Sequence, residues 1–142
     1  MQITIRKALE SDSVSLLHLC EQLGYASGEK DMIQRIKQLD VSSNDCLLIA
    51  EIDKKIIGWI HVFYTVRLES GAFTEIGGFV VDELYRGKGV GTLLLKEAVK
   101  WSGDKTKKLR VRCRTDRTEA HLFYQHKGFI ELKEQKIFEL VI

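Results

Sequence analysis

The chain has 142 residues, with 22 basic against 20 acidic side chains and a formal net charge of +2; 44% of its residues are hydrophobic and 30% are charged. That balance fits a globular protein and excludes disordered and membrane-spanning classes, and so small a positive excess implies neither a nucleic acid nor a membrane partner. There is no proline, so Pro-rich linkers and PPII ligand segments are excluded too.

In chain order, residues 2–6 alternate as a short strand. Ser11 or Asp12 can cap a helix carrying Leu16, Leu19, Cys20 and Leu23 at i, i+3, i+4, i+7 spacing, closed by Gly24. Ser27 and Glu29 open a second helix with Met32, Ile33, Ile36 and Leu39. Cys46–Ile52 and Ile56–Val66 read as a hairpin of two long strands around a turn at Lys54 and Lys55, and Phe73–Val81 as a further strand. A helix follows with Val90, Leu93, Leu94, Ala98 and Trp101. Leu109–Arg114 is an alternating strand, and Glu119–Lys127 a short helix ended by Gly128. Phe129–Leu132 and Lys136–Ile142 are predicted closing strands. The order βααβββαβαββ has no internal boundary, so we expect one α/β (α+β) domain over residues 1–142, a mixed sheet with helices on both faces. A chain this long buries about two thirds of its unfolded surface and needs no staple.

Cys20, Cys46 and Cys113 form no CxxC pair and no zinc-finger spacing with His18, His61, His121 and His126. We therefore expect no metal and three buried thiols in a reducing compartment. The N-terminus lacks the apolar region of a signal peptide, and no apolar run reaches the ~20 residues of a membrane span. The expected location is the cytoplasm.

The informative stretch runs from Phe79, Val80 and Val81 through Asp82 to Arg86, Gly87, Lys88, Gly89, Val90, Gly91 and Thr92. A buried strand enters a loop, and the loop enters a helix N-terminus. Three alternating glycines let a ligand approach the backbone, whose N–H groups form an anion nest reinforced by the helix dipole. Arg86 and Lys88 add positive charge, and the chemistry suits a pyrophosphate. No Gly-Lys-Ser/Thr closes the loop, so it is not a Walker motif. Five residues separate strand from first glycine, and no ribose-binding acid follows, which argues against a dinucleotide fold.

The run Arg86–Gly91 resembles the (Arg/Gln)-x-x-Gly-x-(Gly/Ala) acetyl-CoA motif of the GNAT superfamily of N-acetyltransferases. Ala120–Phe129 resembles that family's second signature, Ala-x-x-Phe-Tyr-x-x-x-Gly-Phe, and the element order is similar along essentially the whole chain. Where many relatives have Asn three residues before that alanine, this chain has Arg117. The resemblance implies acetyl-CoA held between splayed fourth and fifth strands. The backbone of Phe79 and Val81 would pair with the pantetheine arm, the Phe79 N–H would face the thioester carbonyl, and Arg86–Thr92 would hold the pyrophosphate.

Acetyl transfer to an amine needs a neutral amine, a stabilised oxyanion and a proton for the leaving thiolate. By the resemblance, Tyr124 faces the thioester sulfur and supplies that proton. Glu75 is the candidate base: it stands eleven residues before Arg86, an offset at which the resemblance implies a catalytic glutamate in some members, and period-2 geometry puts Glu75, Gly77, Phe79 and Val81 on one face. His61, inside an otherwise apolar strand, reads first as a hydrogen-bonded structural residue and second as a base or acceptor contact; it and an ordered water are the alternatives to Glu75. Arg110, Arg112 and Arg114 make one strand face basic. No cysteine is placed as an acyl carrier, which favours direct transfer in a ternary complex over a covalent route. The predicted function is N-acetyl transfer from acetyl-CoA to a small-molecule or peptide amine; the competing reading is a non-catalytic acyl-CoA-binding module. Ile137–Ile142 is a candidate strand for pairing across a homodimer.

Overall fold

The computed structural model describes residues 2–142, which group into two compact units, one ending at Val111 and the other spanning Arg112–Ile142. In the first unit, β1 (Thr4–Lys7) precedes α1 (Ser13–Gln22), α2 (Glu29–Asp40), β2 (Asp45–Ile52), β3 (Lys55–Arg67), β4 (Gly71–Val81), α3 (Val90–Gly103) and β5 (Leu109–Val111). The sheet order is β1-β2-β3-β4-β5, antiparallel except for the β4–β5 pair. Among the described residues no helix is long and apolar enough to cross a membrane.

Asp12 precedes α1, yet its carboxylate does not cap the helix. It accepts from the Arg6 guanidinium at 2.8 and 3.0 Å and from the Leu9 N–H at 2.7 Å, tying β1 to the chain entering α1. Gly24, at φ +89°, ends α1 as expected, with the Tyr25 and Gly24 N–H groups returning to the Cys20 and Glu21 carbonyls. The β2–β3 turn is at Asp53 and Lys54, both with positive φ, one residue earlier than the sequence suggested. Lys55 is already the first residue of β3, paired with Ile52.

The alternating side chains of the sheet feed two apolar layers. One holds Leu16 and Leu19 of α1, Met32 and Ile36 of α2, and Ile49, Ile56 and Val80 of the sheet, with Trp59 packed against it. The other face meets α3, where the fully buried Leu94 approaches Gly58. Each fully buried Ile or Leu contributes roughly 1.5–3 kcal/mol.

The second unit contains α4 (Thr118–His126), closed by Gly128 at φ +94°. The predicted strands Phe129–Leu132 and Lys136–Ile142 do not form, and β5 stops at Val111 where a strand to Arg114 was expected. Alternation makes a segment strand-compatible, but a strand also needs a ladder partner, and this unit offers one helix and no strand. Ile137, Phe138, Leu140, Val141 and Ile142 are accordingly exposed. The element order is thus βααβββαβα.

Candidate active site

β4 is regular where it meets β5 and irregular just beyond. The parallel ladder covers Thr74, Glu75 and Ile76 and ends there. Immediately after, the antiparallel ladder with β3 slips: Ile76 faces Val62 but Gly78 faces His61. Gly77 is therefore the extra residue of a β-bulge. From Gly77 to Val81, β4 has no partner strand on the β5 side. The Asp82 N–H donates to the Ile57 carbonyl on β3 at 2.8 Å. Strand alternation then turns the peptide groups of Val80 toward β3 and those of Phe79 and Val81 toward the opposite edge. There the Val81 carbonyl accepts from Arg86 Nε at 3.1 Å.

The bulge also resets the faces, and one expectation needs correction. Glu75 lies opposite Phe63, whereas Phe79 lies opposite Ile60, one of the residues on the α3 side. Glu75 and Gly77 share the α1/α2 face as expected, but Phe79 and Val81 turn their side chains the other way. The extra residue breaks the period of two. Val80 sends its side chain into the α1/α2 core at 3% exposure, so its peptide and side chain are both committed inside the protein.

Beyond Val81 the chain is held by Asp82, whose carboxylate accepts from the Leu84 N–H at 3.0 Å and starts a single 3₁₀ turn, Glu83–Tyr85. Gly87 and Gly89 then take φ +74° and +85°, the left-handed region that favours glycine, and Gly89 caps α3. A Cβ at either position would meet nothing within 4 Å, so the loop's surface is bare backbone. The first-turn N–H groups of Val90, Gly91 and Thr92 have no partner within α3. Lys88 from the loop and Lys55 from β3 both stand over the Tyr85 ring, at 5.4 and 5.2 Å from its centroid. Lys55 therefore joins Arg86 and Lys88 at this end of the sheet, a contribution hidden by its distance in sequence.

Glu75 is buried at 8% exposure and lies in register with Arg110 of β5, whose guanidinium stacks on Phe73 at 4.1 Å. His61 is on the same face. Its Nε2 is 2.7 Å from Asp45 Oδ1, and the other Asp45 oxygen accepts from Ser42 Oγ at 2.6 Å. This pair was missed because the sequence pattern began β2 at Cys46; the hairpin register that brings Asp45 diagonally across from His61 was the only available signal.

In the second unit, Tyr124 sits on α4 between Phe123 and Phe129, with edge-on ring contacts at 5.4 and 5.2 Å between centroids. Burial, and to a lesser degree Cys113, push its phenol above the ordinary tyrosine value, against the lowering influence of Arg117. The phenol therefore stays protonated at neutral pH. Burial also raises all three cysteine thiols, so none is a ready nucleophile. Arg117 precedes α4 without a side-chain capping bond.

Residues 13–129 match the model of the acetyltransferase (GNAT) family. The chain belongs to the GNAT acetyltransferase family. This GNAT protein is an acyltransferase by that membership. No curated protein sequence matches it at significance. Among solved structures it is similar to the aminoglycoside 6'-N-acetyltransferase AAC(6')-IG from Acinetobacter haemolyticus, with 22% identity, coverage of 98% and 99% of the two chains, and a TM-score of 0.84. It is also similar to a transcriptional regulator from Bacillus halodurans C-125, with 21% identity, coverage of 98% and 100%, and a TM-score of 0.87. A third is AAC(6')-Iy in complex with a CoA-S-monomethyl-acetylneamine bisubstrate analogue, with 16% identity, full coverage of both chains and a TM-score of 0.88. These likenesses establish a shared fold.

Proposed function

We propose that the protein transfers an acetyl group from acetyl-CoA directly to a primary amine in a ternary complex. The observation that carries this reading is that β4, past the end of its ladder with β5 at Ile76, runs on into the bare glycine loop at the N-terminus of α3. An extended arm lying along that stretch finds the Phe79 and Val81 peptide groups, and its pyrophosphate finds the N–H groups of residues 87–92 with Arg86 and Lys88 beside them. That a solved structure of the same fold holds a CoA-based bisubstrate analogue supports it.

In this mechanism the Phe79 N–H polarises the thioester carbonyl and holds the oxyanion. Glu75 takes a proton from the incoming ammonium, and the amine lone pair attacks the carbonyl carbon. The C=O π pair moves to oxygen, the nitrogen sheds its second proton, and the pair returns as the C–S bond breaks. Tyr124 donates to the departing thiolate. Its raised phenol makes full transfer uphill, so it acts as a protonated hydrogen-bond donor first and as an acid only as it regains a proton from solvent. The acceptor is a small-molecule amine, a reading supported by the aminoglycoside acetyltransferases of the same fold.

The test is free-thiol release from acetyl-CoA with neamine, spermidine and glycinamide as separate acceptors, paired with a thermal melt in millimolar CoA. Thiol release with at least one amine and a raised Tm are expected. A raised Tm without turnover on a broad amine panel would leave an acyl-CoA-binding module; an unmoved Tm would remove the acetyl-CoA reading.

A further inference from the structure

Resting on that reading, we propose that His61, oriented by Asp45, is a second proton acceptor for the attacking amine, distinct from Glu75. The proton count leaves a place for one. An ammonium acceptor must lose two protons to become an amide, one before attack and one from the nitrogen of the tetrahedral intermediate. A single carboxylate takes one. Glu75 accepts the first. As the C–N bond forms and the C=O pair moves to oxygen, His61 Nδ1 takes the second; C–S cleavage follows, and the thiolate takes its proton from Tyr124. One proton per turnover then leaves to solvent.

The geometry supplies what such a base needs. An Asp45 carboxylate can only accept, so Nε2 donates in the 2.7 Å contact, and in the neutral form of the ring the lone pair is on Nδ1. Among the described residues, Nδ1 has no hydrogen-bond partner. Its edge of the ring lies over the bulge: a Cβ on Gly77 would stand 2.8 Å from Nδ1 and 3.3 Å from Cε1. Gly77 is exposed and bears no side chain, so none from that residue covers the edge. Phe79, whose N–H the proposed mechanism aims at the thioester carbonyl, lies two residues further on.

The pair is built rather than incidental. Ser42 Oγ fixes the second Asp45 oxygen at 2.6 Å, and Phe63 tilts against the imidazole at 5.9 Å between centroids. Both side chains are about four fifths buried, at 20% and 19% exposure. Glu75 shares the face, diagonal to His61 across the bulge, and diagonal cross-strand neighbours lie ~7–8 Å apart. Aspartate-held imidazole is the arrangement that lets a neutral ring accept a proton and then carry its charge.

The experiment compares His61→Ala with wild type in thiol release from acetyl-CoA, using neamine, spermidine and glycinamide, with and without added imidazole. We expect kcat to fall by roughly 10²-fold, the KM for acetyl-CoA to stay within about twofold, and imidazole, but not the weakly basic pyrazole of similar size, to restore turnover in proportion to its concentration. Unchanged kcat, or a loss that imidazole does not restore, overturns the assignment. Should His61→Ala not fold, Asp45→Asn decides: the ring remains but its positive form loses its partner, and kcat must fall by more than ~10-fold. Equality with wild type overturns the proposal. No thiol release by wild type with any amine removes the acetyltransferase reading itself, whereas wild-type turnover matched by the variants removes His61 alone.

Discussion

The indole of Trp59 on β3 lies against the bare backbone of Gly78 on β4, so that a Cβ added to Gly78 would overlap Cη2 and stand 2.6 Å from Cζ3. Trp59 in turn packs against the cluster that joins α1 and α2 to the sheet. The close approach of ring and backbone fixes where the bulged part of β4 sits. Gly78→Ala must push the ring into that cluster, and overpacking of this kind costs ~1–3 kcal/mol. Urea unfolding should show the loss, and a Trp59→Leu background should shrink it, because the smaller side chain leaves room for the methyl. Equal losses in both backgrounds would detach the effect from the Trp59 contact.

Gly89→Val tests the loop. The space around its Cβ is empty, so the fold pays only for a branched residue at φ +85°, about 1–2 kcal/mol. A ligand, by contrast, meets a branched side chain where it would otherwise touch backbone. At a CoA concentration a hundredfold above Kd the wild type should gain ~2.7 kcal/mol. The variant should still fold cooperatively and show no CoA-dependent rise in Tm. A full rise in the variant would place the pyrophosphate elsewhere.

The glycine loop leading into α3 was legible because glycine spacing and a following amphipathic helix are local signals; the positive φ of Gly87 and Gly89 came only with the structure. The face on which Glu75 lies was only half legible. Period-2 counting is sound within a regular strand, but a bulge is set by pairing with β3, and Gly77-Gly78 reveals it only once Trp59 and His61 are seen to occupy the missing side-chain space. Asp45 and His61 are sixteen residues apart, and they meet through a hairpin whose turn begins one residue before the two lysines that marked it. Ile137–Ile142 shows the opposite failure. A perfect strand pattern yields no strand without a neighbouring ladder.

Asp12 ties β1 to the start of α1, and its titration should be visible in acid. Burial alone would raise its carboxyl; the Arg6 hydrogen bonds, the Leu9 N–H and the Arg6 charge outweigh burial and hold it below the ordinary value of 3.8. A folded-state value below the unfolded one stabilises the fold above about pH 4, and that contribution fades as pH falls through the folded value. Asp12→Asn should cost about 2 kcal/mol at pH 7, within the range for hydrogen bonds to charged groups. Its stability should also change less than that of wild type between pH 5 and 3. Parallel stability curves would assign the acid sensitivity to other carboxylates.

Tyr124→Phe removes one hydroxyl from a ring held by Phe123 and Phe129, so packing should survive. CoA affinity should stay near that of wild type while kcat falls by roughly 10-fold to 10²-fold, the signature of an interaction used mainly in the transition state. The low end is favoured because burial raises the phenol and weakens it as an acid. Stopped-flow thiol detection under saturating acetyl-CoA gives kcat directly. An unchanged kcat would mean that solvent protonates the thiolate and that Tyr124 serves packing alone.

Glu75→Gln keeps the shape of the side chain and removes its charge. An unperturbed alkylamine has a pKa near ~10, so at pH 6 nearly all acceptor is ammonium and a base matters most. The variant's kcat/KM should therefore fall furthest at low pH and approach wild type as solution supplies the neutral amine, with the gap narrowing from pH 6 to 10. The same profile separates Glu75 from His61. If Glu75 takes the first proton, its loss is repaired by raising the pH, since an amine that arrives neutral has already shed that proton. The second proton is released only after attack, so loss of His61 should leave a gap that a neutral acceptor does not close. A constant gap for Glu75→Gln would mean that the carboxylate positions the ammonium through its charge without accepting its proton. No gap at any pH would make Glu75 a structural residue at the β4–β5 ladder, with the first deprotonation left to water.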